Sequence, residues 1–257
     1  LKQQLLDNLN NSLASGESYY TYKFIDKNCT SMVVDNINKT LNANTIVKKE
    51  GTAVSYRTIL YPYFDGHFYE KLGTSIIFGK KVDQLGTKIF LPYELQKSLN
   101  KVSFENHPLV KKNKTLLEFK NKTPFSWWNN VYTYIVFLLL IILINKKSVA
   151  LFYLSIMGIL GLFFTFFGFY SQHLELGYNY NILLFNPTPL GLLYLYGTKN
   201  KKGIYNLALF TIILLVVYLF FVINKAYFAI VLPLIITNSI LLVRIAIQNK
   251  KRIPIII

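Results

Sequence analysis

The stretch "YKFIDKNCTS", residues 22–31, holds the only cysteine of the chain, Cys29. A thiolate is a nucleophile and a leaving group, so a cysteine at a helix start can carry an acyl group between two partners. Such chemistry needs a base, and the chain offers three histidines. His67 lies in a glycine-containing turn ("PYFDGHFYEK"), His107 precedes a proline ("ENHPLV"), and His173 sits among polar residues beside an apolar run ("SQHLELGYNYNILLFNP"). A free cysteine is also among the residue types most often buried, so Cys29 reads equally as a small core residue. The chain has no second cysteine for a disulfide, and no Cys/His spacing of a metal site or glycine-rich phosphate loop. No cofactor is expected.

The elements around Cys29 follow from periodicity. Residues Ser18 to Ile25 alternate, with Tyr20, Tyr22 and Phe24 on one face, which predicts a strand. "DKN" is a turn signal, and Thr30 to Leu41 reads as a helix with Val33, Ile37 and Leu41 on one stripe. Cys29 extends that stripe by four residues, which places it at the helix start and directs it to the core side. Asn28 or Asp26 can cap the first turn. The positive end of the helix dipole favours a thiolate there, and N–H groups at the start of the Thr30 helix are available to an oxyanion. Leu1, Leu5, Leu9 and Leu13 form one stripe of a preceding helix, and further helices are expected over Tyr56–Tyr63, Gly66–Phe78 and from Pro92. An α+β domain over residues 1–125 results.

The remainder has different physics. The whole chain has 257 residues, a net charge of +16 and 53% hydrophobic residues, too apolar for one soluble domain and too charged for a membrane bundle alone. After "NKTPFSWWNN" the apolar runs approach the roughly 20 residues that cross a bilayer. They predict an all-α domain over 126–257 with five spans, near 128–144, 148–170, 182–197, 204–223 and 226–246. The third is the shortest, with Pro187 and Pro189 in its first turns. Trp127, Trp128, Tyr132 and Tyr134 suit an interfacial belt. Lys146, Lys147, Lys199, Lys201, Lys202, Arg244, Lys250, Lys251 and Arg252 fall in alternate connections, whereas the opposite ones hold Lys225 and Glu175. The positive-inside rule then makes the basic connections and the C-terminus cytoplasmic and puts residues 1–125 outside. These charges are accounted for by topology and by an anionic lipid surface, so nucleic acid is not a needed partner. An exported first half requires a signal upstream of Leu1. The richness in Lys, Asn and Ile fits a low-GC bacterial genome.

The segments "YKFIDKNCTSMVVDNINKTL", "SYRTILYPYF" and "GTSIIFGKKVDQLGTKIFLPYELQKSL", then "HPLV", resemble the second half of the periplasmic domain of the Lnb family, common in Bacteroidota. The order Asn28-Cys29, Arg57, Asp83, Phe90-Leu91-Pro92 carries that resemblance, and "H…NYNILLFNPTPL" is similar to the five-span domain that follows. The resemblance implies a circularly permuted papain-like (NlpC-like) thiol fold. It implies a lipoprotein N-acyltransferase that moves an acyl chain from a phospholipid to the N-terminal amine of a lipoprotein. It makes Cys29 the nucleophile, in agreement with its place between Asn28 and Thr30 at the helix start. The family's histidine, on an early strand, has no counterpart among His67, His107 and His173, and its place would be upstream of Leu1.

Two other readings remain. One is a papain-like peptidase or amidase of the cell envelope, which would show a hydrophilic cleft. The other is a non-catalytic membrane protein in which Cys29 is core.

Overall fold

Beyond residue 130 the apolar runs have no polar face. In a lipid environment such a run must satisfy its own backbone, which a helix does. The computed structural model describes residues 1–119 and 126–250. The helices are α1 (Lys2–Ala14), α2 (Cys29–Leu41), α3 (Tyr56–Leu60), α4 (Phe68–Ile77), α5 (Pro92–Leu99), α6 (Val131–Ile144), α7 (Lys147–Tyr170), α8 (Leu190–Gly197), α9 (Lys201–Val222) and α10 (Phe228–Asn249). Packing divides the chain into two units. The first holds residues 1–59, the described part of 84–122, and 172–175; the second holds 60–83 and the described parts of 123–171 and 176–257. The expected boundary near residue 125 lies outside the described residues, as do Lys251 and Arg252.

In the first unit the core is Ile25, Ile46, Ile89, Phe90 and Val102, around a buried Arg57. Lys48 and Glu94 form a buried ion pair at 2.5 Å. Helix α1 lies on α2, with Asn8 Nδ2 donating to Thr40 Oγ1 at 3.2 Å. Its stripe residues Leu1, Leu9 and Leu13 are exposed. The expected helices over 56–63, 66–78 and from Pro92 are present, the first ending in a 3₁₀ turn at Tyr61–Phe64.

The strand expected over Ser18–Ile25 is not formed. A strand needs a neighbour to exchange hydrogen bonds with, and here the only pairing is an isolated bridge between Lys23 and Lys27. The aromatic side chains are anchored singly instead. Phe24 meets Phe90 edge-on at 5.8 Å, and Lys27 Nζ lies 5.2 Å from the Tyr20 ring. Among the described residues the one sheet is a hairpin, β1 (Ser103–Phe104) with β2 (His107–Pro108). Glu105 and Asn106 turn it, both with left-handed φ, as a two-residue hairpin demands. The regular structure of the described first unit is therefore mostly helix, and its sheet is reduced to this small hairpin.

In the second unit α9 and α10 pack along their lengths. Tyr134 Oη donates to the Ile230 carbonyl at 3.1 Å, and Arg244 Nη1 to the Ile142 carbonyl at 2.6 Å. These two bonds align the starts of α6 and α10 at one end of the bundle and their finishes at the other. Among the described residues three helices, α7, α9 and α10, are long and apolar enough to cross a membrane, and α6 is a shorter apolar helix. Trp127, Trp128 and Tyr132 are exposed at the end where α6 begins, hereafter the aromatic end. Lys147 and Tyr196 meet at the opposite end, 4.9 Å from ammonium to ring centroid.

The third expected span, 182–197, is not one helix. It is a 3₁₀ turn at Tyr180–Leu183, an irregular Leu184–Pro189, and α8, which at 1.5 Å per residue covers about 12 Å. Pro187 and Pro189 remove the N–H groups that a continuous helix would use. Such backbone survives at membrane depth only where protein covers it and meets its polar groups, and both conditions hold. Leu184, Phe185, Asn186 and Leu192 are buried. Asn186 Nδ2 donates to the Leu183 carbonyl at 3.0 Å, Asn238 Nδ2 to that of Leu184 at 3.3 Å, and Thr188 Oγ1 bonds Thr211 Oγ1 at 2.9 Å. The segment still runs from the aromatic end, where Tyr218 Oη donates to Asn181 Oδ1, to the basic end, where Asn249 Nδ2 donates to Tyr196 Oη.

Candidate functional site

The thiol sits at the first position of α2 because Asn28 ends the preceding turn. Asn28 is extended (φ −124°), and its Oδ1 accepts from Ser31 N–H at 2.9 Å while Ser31 Oγ accepts from Asn28 N–H at 2.9 Å, a reciprocal capping box. Its Nδ2 donates to the carbonyls of Phe24 (2.7 Å) and Phe90 (2.8 Å). Asn28 thus ties the turn, α2 and the buried 89–90 segment together, and Asp26 takes a different task, pairing with Lys88 at 2.6 Å. Both ends of the Asn28 amide are consumed, and so is its N–H. The N–H groups of Cys29 and Thr30 remain, and among the described residues neither has an acceptor. The first four N–H groups of a helix have no partner within it, so these two stand open at the thiol's own position.

Cys29 is exposed. It does not point into the core as the stripe predicted. The buried face of α2 is Thr30, Ser31, Thr40 and Leu41, while Val33, on the expected stripe, is exposed as well. The capping box draws Ser31 inward, and that turns the Cys29–Val33 line to the surface.

His173 belongs to the same packing unit as Cys29. Two residues on, Glu175 is 1% exposed, and its Oε1 accepts the Ile25 N–H at 2.9 Å. Its Oε2 has no hydrogen-bond donor and lies 3.9 Å from His173 Nδ1. Segment 172–175 is thereby fastened to the turn that leads into Cys29. Tyr22 lies within the electrostatic reach of the same groups. Burial pushes its phenol up from the ordinary 10.0, and negative charge on Cys29, Tyr20 and Glu175 pushes it the same way. Cys29, Tyr22 and Glu175 therefore form one neighbourhood, to which His173 is joined through Glu175. The other histidines are elsewhere: His67 precedes α4 beside Glu70 at 3.6 Å, and His107 lies in the hairpin. Glu175 and Tyr22 escaped sequence reasoning. A lone carboxylate between two apolar spans was the available signal for the first. Among the described residues no group of three His, Cys, Asp or Glu side chains could hold a metal ion.

Residues 118–252, more than half of the 257, match a family model described as the Lnb transmembrane domain. The chain belongs to the Lnb family. The matched part of this Lnb-family chain includes every membrane helix and also His173 and Glu175, whereas Cys29 precedes it. Neither the curated proteins nor the solved structures contain a match. The family therefore fixes this chain as a multi-pass membrane protein.

Proposed function

We propose that this chain works as a thiol-dependent lipoprotein N-acyltransferase, with a phospholipid as acyl donor and the N-terminal amine of a lipoprotein as acceptor. The carrying observation is the exposed Cys29 at the first position of α2 with the open N–H groups of Cys29 and Thr30 beside it. Membership of the Lnb family and the resemblance around Cys29 support the same reading, including a papain-like ancestry for the first unit. Both substrates are lipids or lipid-anchored, which suits a thiol unit joined covalently to a membrane domain.

The thiolate of Cys29 adds to the donor's ester carbonyl, and the carbonyl oxygen becomes an oxyanion held by the N–H groups of Cys29 and Thr30. Collapse breaks the ester C–O bond, the lysophospholipid alkoxide leaves with a proton, and a thioester remains. The lipoprotein amine adds to the thioester, loses a proton, and expels the thiolate with an amide formed. Asn28 holds the helix start in place. A general base has to move these protons. Within this chain His173, beside Glu175, is the candidate. By the positive-inside rule the basic connections support a bacterial inner-membrane protein with a cytoplasmic C-terminus and a periplasmic thiol unit.

The test is labelling of the full chain in membranes with a phospholipid carrying an alkyne-tagged acyl chain. The expected result is a hydroxylamine-sensitive adduct that Cys29→Ala abolishes. His173→Ala should slow its formation, and an unchanged rate in that variant would remove His173 as the base. No adduct on the wild type, with lipoproteins still N-acylated in cells carrying Cys29→Ala, overturns the proposal.

A further inference from the structure

The second unit contains a cavity of about 830 Å³ at the aromatic end, inside the roughly 300–1,000 Å³ range of small-molecule sites. Its walls come from the last turns of α7 (Thr165, Phe169), the last turn of α9 (Phe220, Phe221) and the segment holding Ile182 and Leu183. Phe169 and Phe220 are largely exposed, so the cavity opens sideways between α7 and α9, where a membrane helix meets acyl chains. An apolar slot alone would hold any annular lipid. This one also has a charged edge. Lys80 and Lys225 line it, and no carboxylate does.

The two lysines come from segments far apart in sequence and are held there. Lys80 N–H donates to the Tyr178 carbonyl at 3.3 Å. A Cβ on the preceding Gly79 would overlap the Gly177 carbonyl, so the approach of the two segments requires glycine. Lys225 Nζ sits 5.9 Å from the centroid of the Tyr180 ring. That ring is stacked on Phe221 at 6.0 Å, and its hydroxyl donates to Asp83 Oδ2 at 2.6 Å. Among the described residues neither ammonium has a carboxylate partner. Two unneutralised ammonium groups above a slot lined by aromatic and branched aliphatic side chains are complementary to one kind of molecule, a phosphate joined to acyl chains.

We propose that this cavity is a glycerophospholipid site, in which Lys80 and Lys225 hold the headgroup phosphate and the chains lie along Phe169, Phe220, Ile182 and Leu183. The site deepens the acyl-transfer reading by giving the membrane domain its own hold on a phospholipid, yet its occupancy does not depend on Cys29.

The experiment uses the full chain in nanodiscs with phosphatidylglycerol bearing a diazirine in one acyl chain, and in parallel with diacylglycerol bearing the same chain. Cross-linked peptides are mapped by mass spectrometry. Each lysine near an anionic lipid contributes about a five-fold preference, so the pair predicts roughly 25-fold more phosphatidylglycerol than diacylglycerol on the peptides containing Phe169 and Phe220. Lys80→Gln with Lys225→Gln should bring the phospholipid signal down to the diacylglycerol level. Equal labelling of wild type by both lipids overturns the proposal without reference to any variant, as does phospholipid labelling that the double substitution leaves unchanged. Inorganic phosphate should not compete; if it abolishes labelling, the site is one for free phosphate and the lipid assignment falls. Cys29→Ala should leave the cross-links intact, so a failed acyl-transfer reading and a failed lipid site give different results.

Discussion

Asn28 shows how much of a site one amide can specify. It caps α2, satisfies two carbonyls outside the helix and fixes the rotation that exposes Cys29. Replacement by alanine removes a cap and leaves the buried Phe90 carbonyl without its donor, at a cost of roughly 2–3 kcal/mol. Hydrogen exchange of the α2 amides in the full chain should then quicken by roughly 30- to 150-fold through local opening. Asn28→Ser keeps a cap but not both donor bonds, and should recover about 1 kcal/mol of the loss. Unchanged exchange in Asn28→Ala would mean that α2 is held by something other than this residue. The cap itself was legible, since Asn before a helical run is a strong signal. The orientation of Cys29 was not. A stripe at spacing four says which residues share a face, but it does not say which face is buried. Ser31, a polar residue that pattern reading sends outward, is drawn in by its bond to Asn28.

At the scale of elements, the long helices were legible because their composition admits no other state. Those expected over 148–170, 204–223 and 226–246 differ from α7, α9 and α10 by at most three residues at either end. The broken third crossing was foreshadowed by Pro187 and Pro189. What no local pattern could supply is the partner that lets it exist. Gly161 of α7 lies against the Phe185 carbonyl, and a Cβ there would overlap that backbone atom. A backbone atom cannot swing aside as a side chain can, so Gly161→Ala should destabilise the membrane unit by roughly 3 kcal/mol, the upper part of the overpacking range. Gly197, in the last turn of α8, has nothing within 4 Å of its added Cβ. Gly197→Ala should therefore be neutral or stabilising by about 0.5–1 kcal/mol. Unfolding of the full chain in mixed micelles of rising SDS fraction checks both. Equal midpoints for the two variants would show that the close approach of α7 to the broken segment does not hold in the protein.

At the scale of the whole chain, the order of crossings decides which connections share a side. The segment 180–197 contains no helix that could cross alone, yet it is bonded at the aromatic end through Asn181 and at the basic end through Tyr196. If it crosses, Lys146 and Lys199 are separated by two passages, α7 and this segment, and face the same compartment. If it dips and returns, they face opposite ones. The nine-to-one division of basic residues between alternate connections follows only from a crossing. In a Cys29→Ala background, single cysteines at Lys146, Lys199 and Ala226 can be probed with a membrane-impermeant maleimide on spheroplasts. The expected pattern is labelling of Ala226→Cys in intact cells, with Lys146→Cys and Lys199→Cys labelled together only after permeabilisation. Opposite behaviour of Lys146→Cys and Lys199→Cys would make the segment re-entrant. The basic residues near Lys199 would then lie on the side opposite Lys146, α9 would carry Lys225 to the side of Lys146, and the charge argument for the orientation of the thiol unit would go with it.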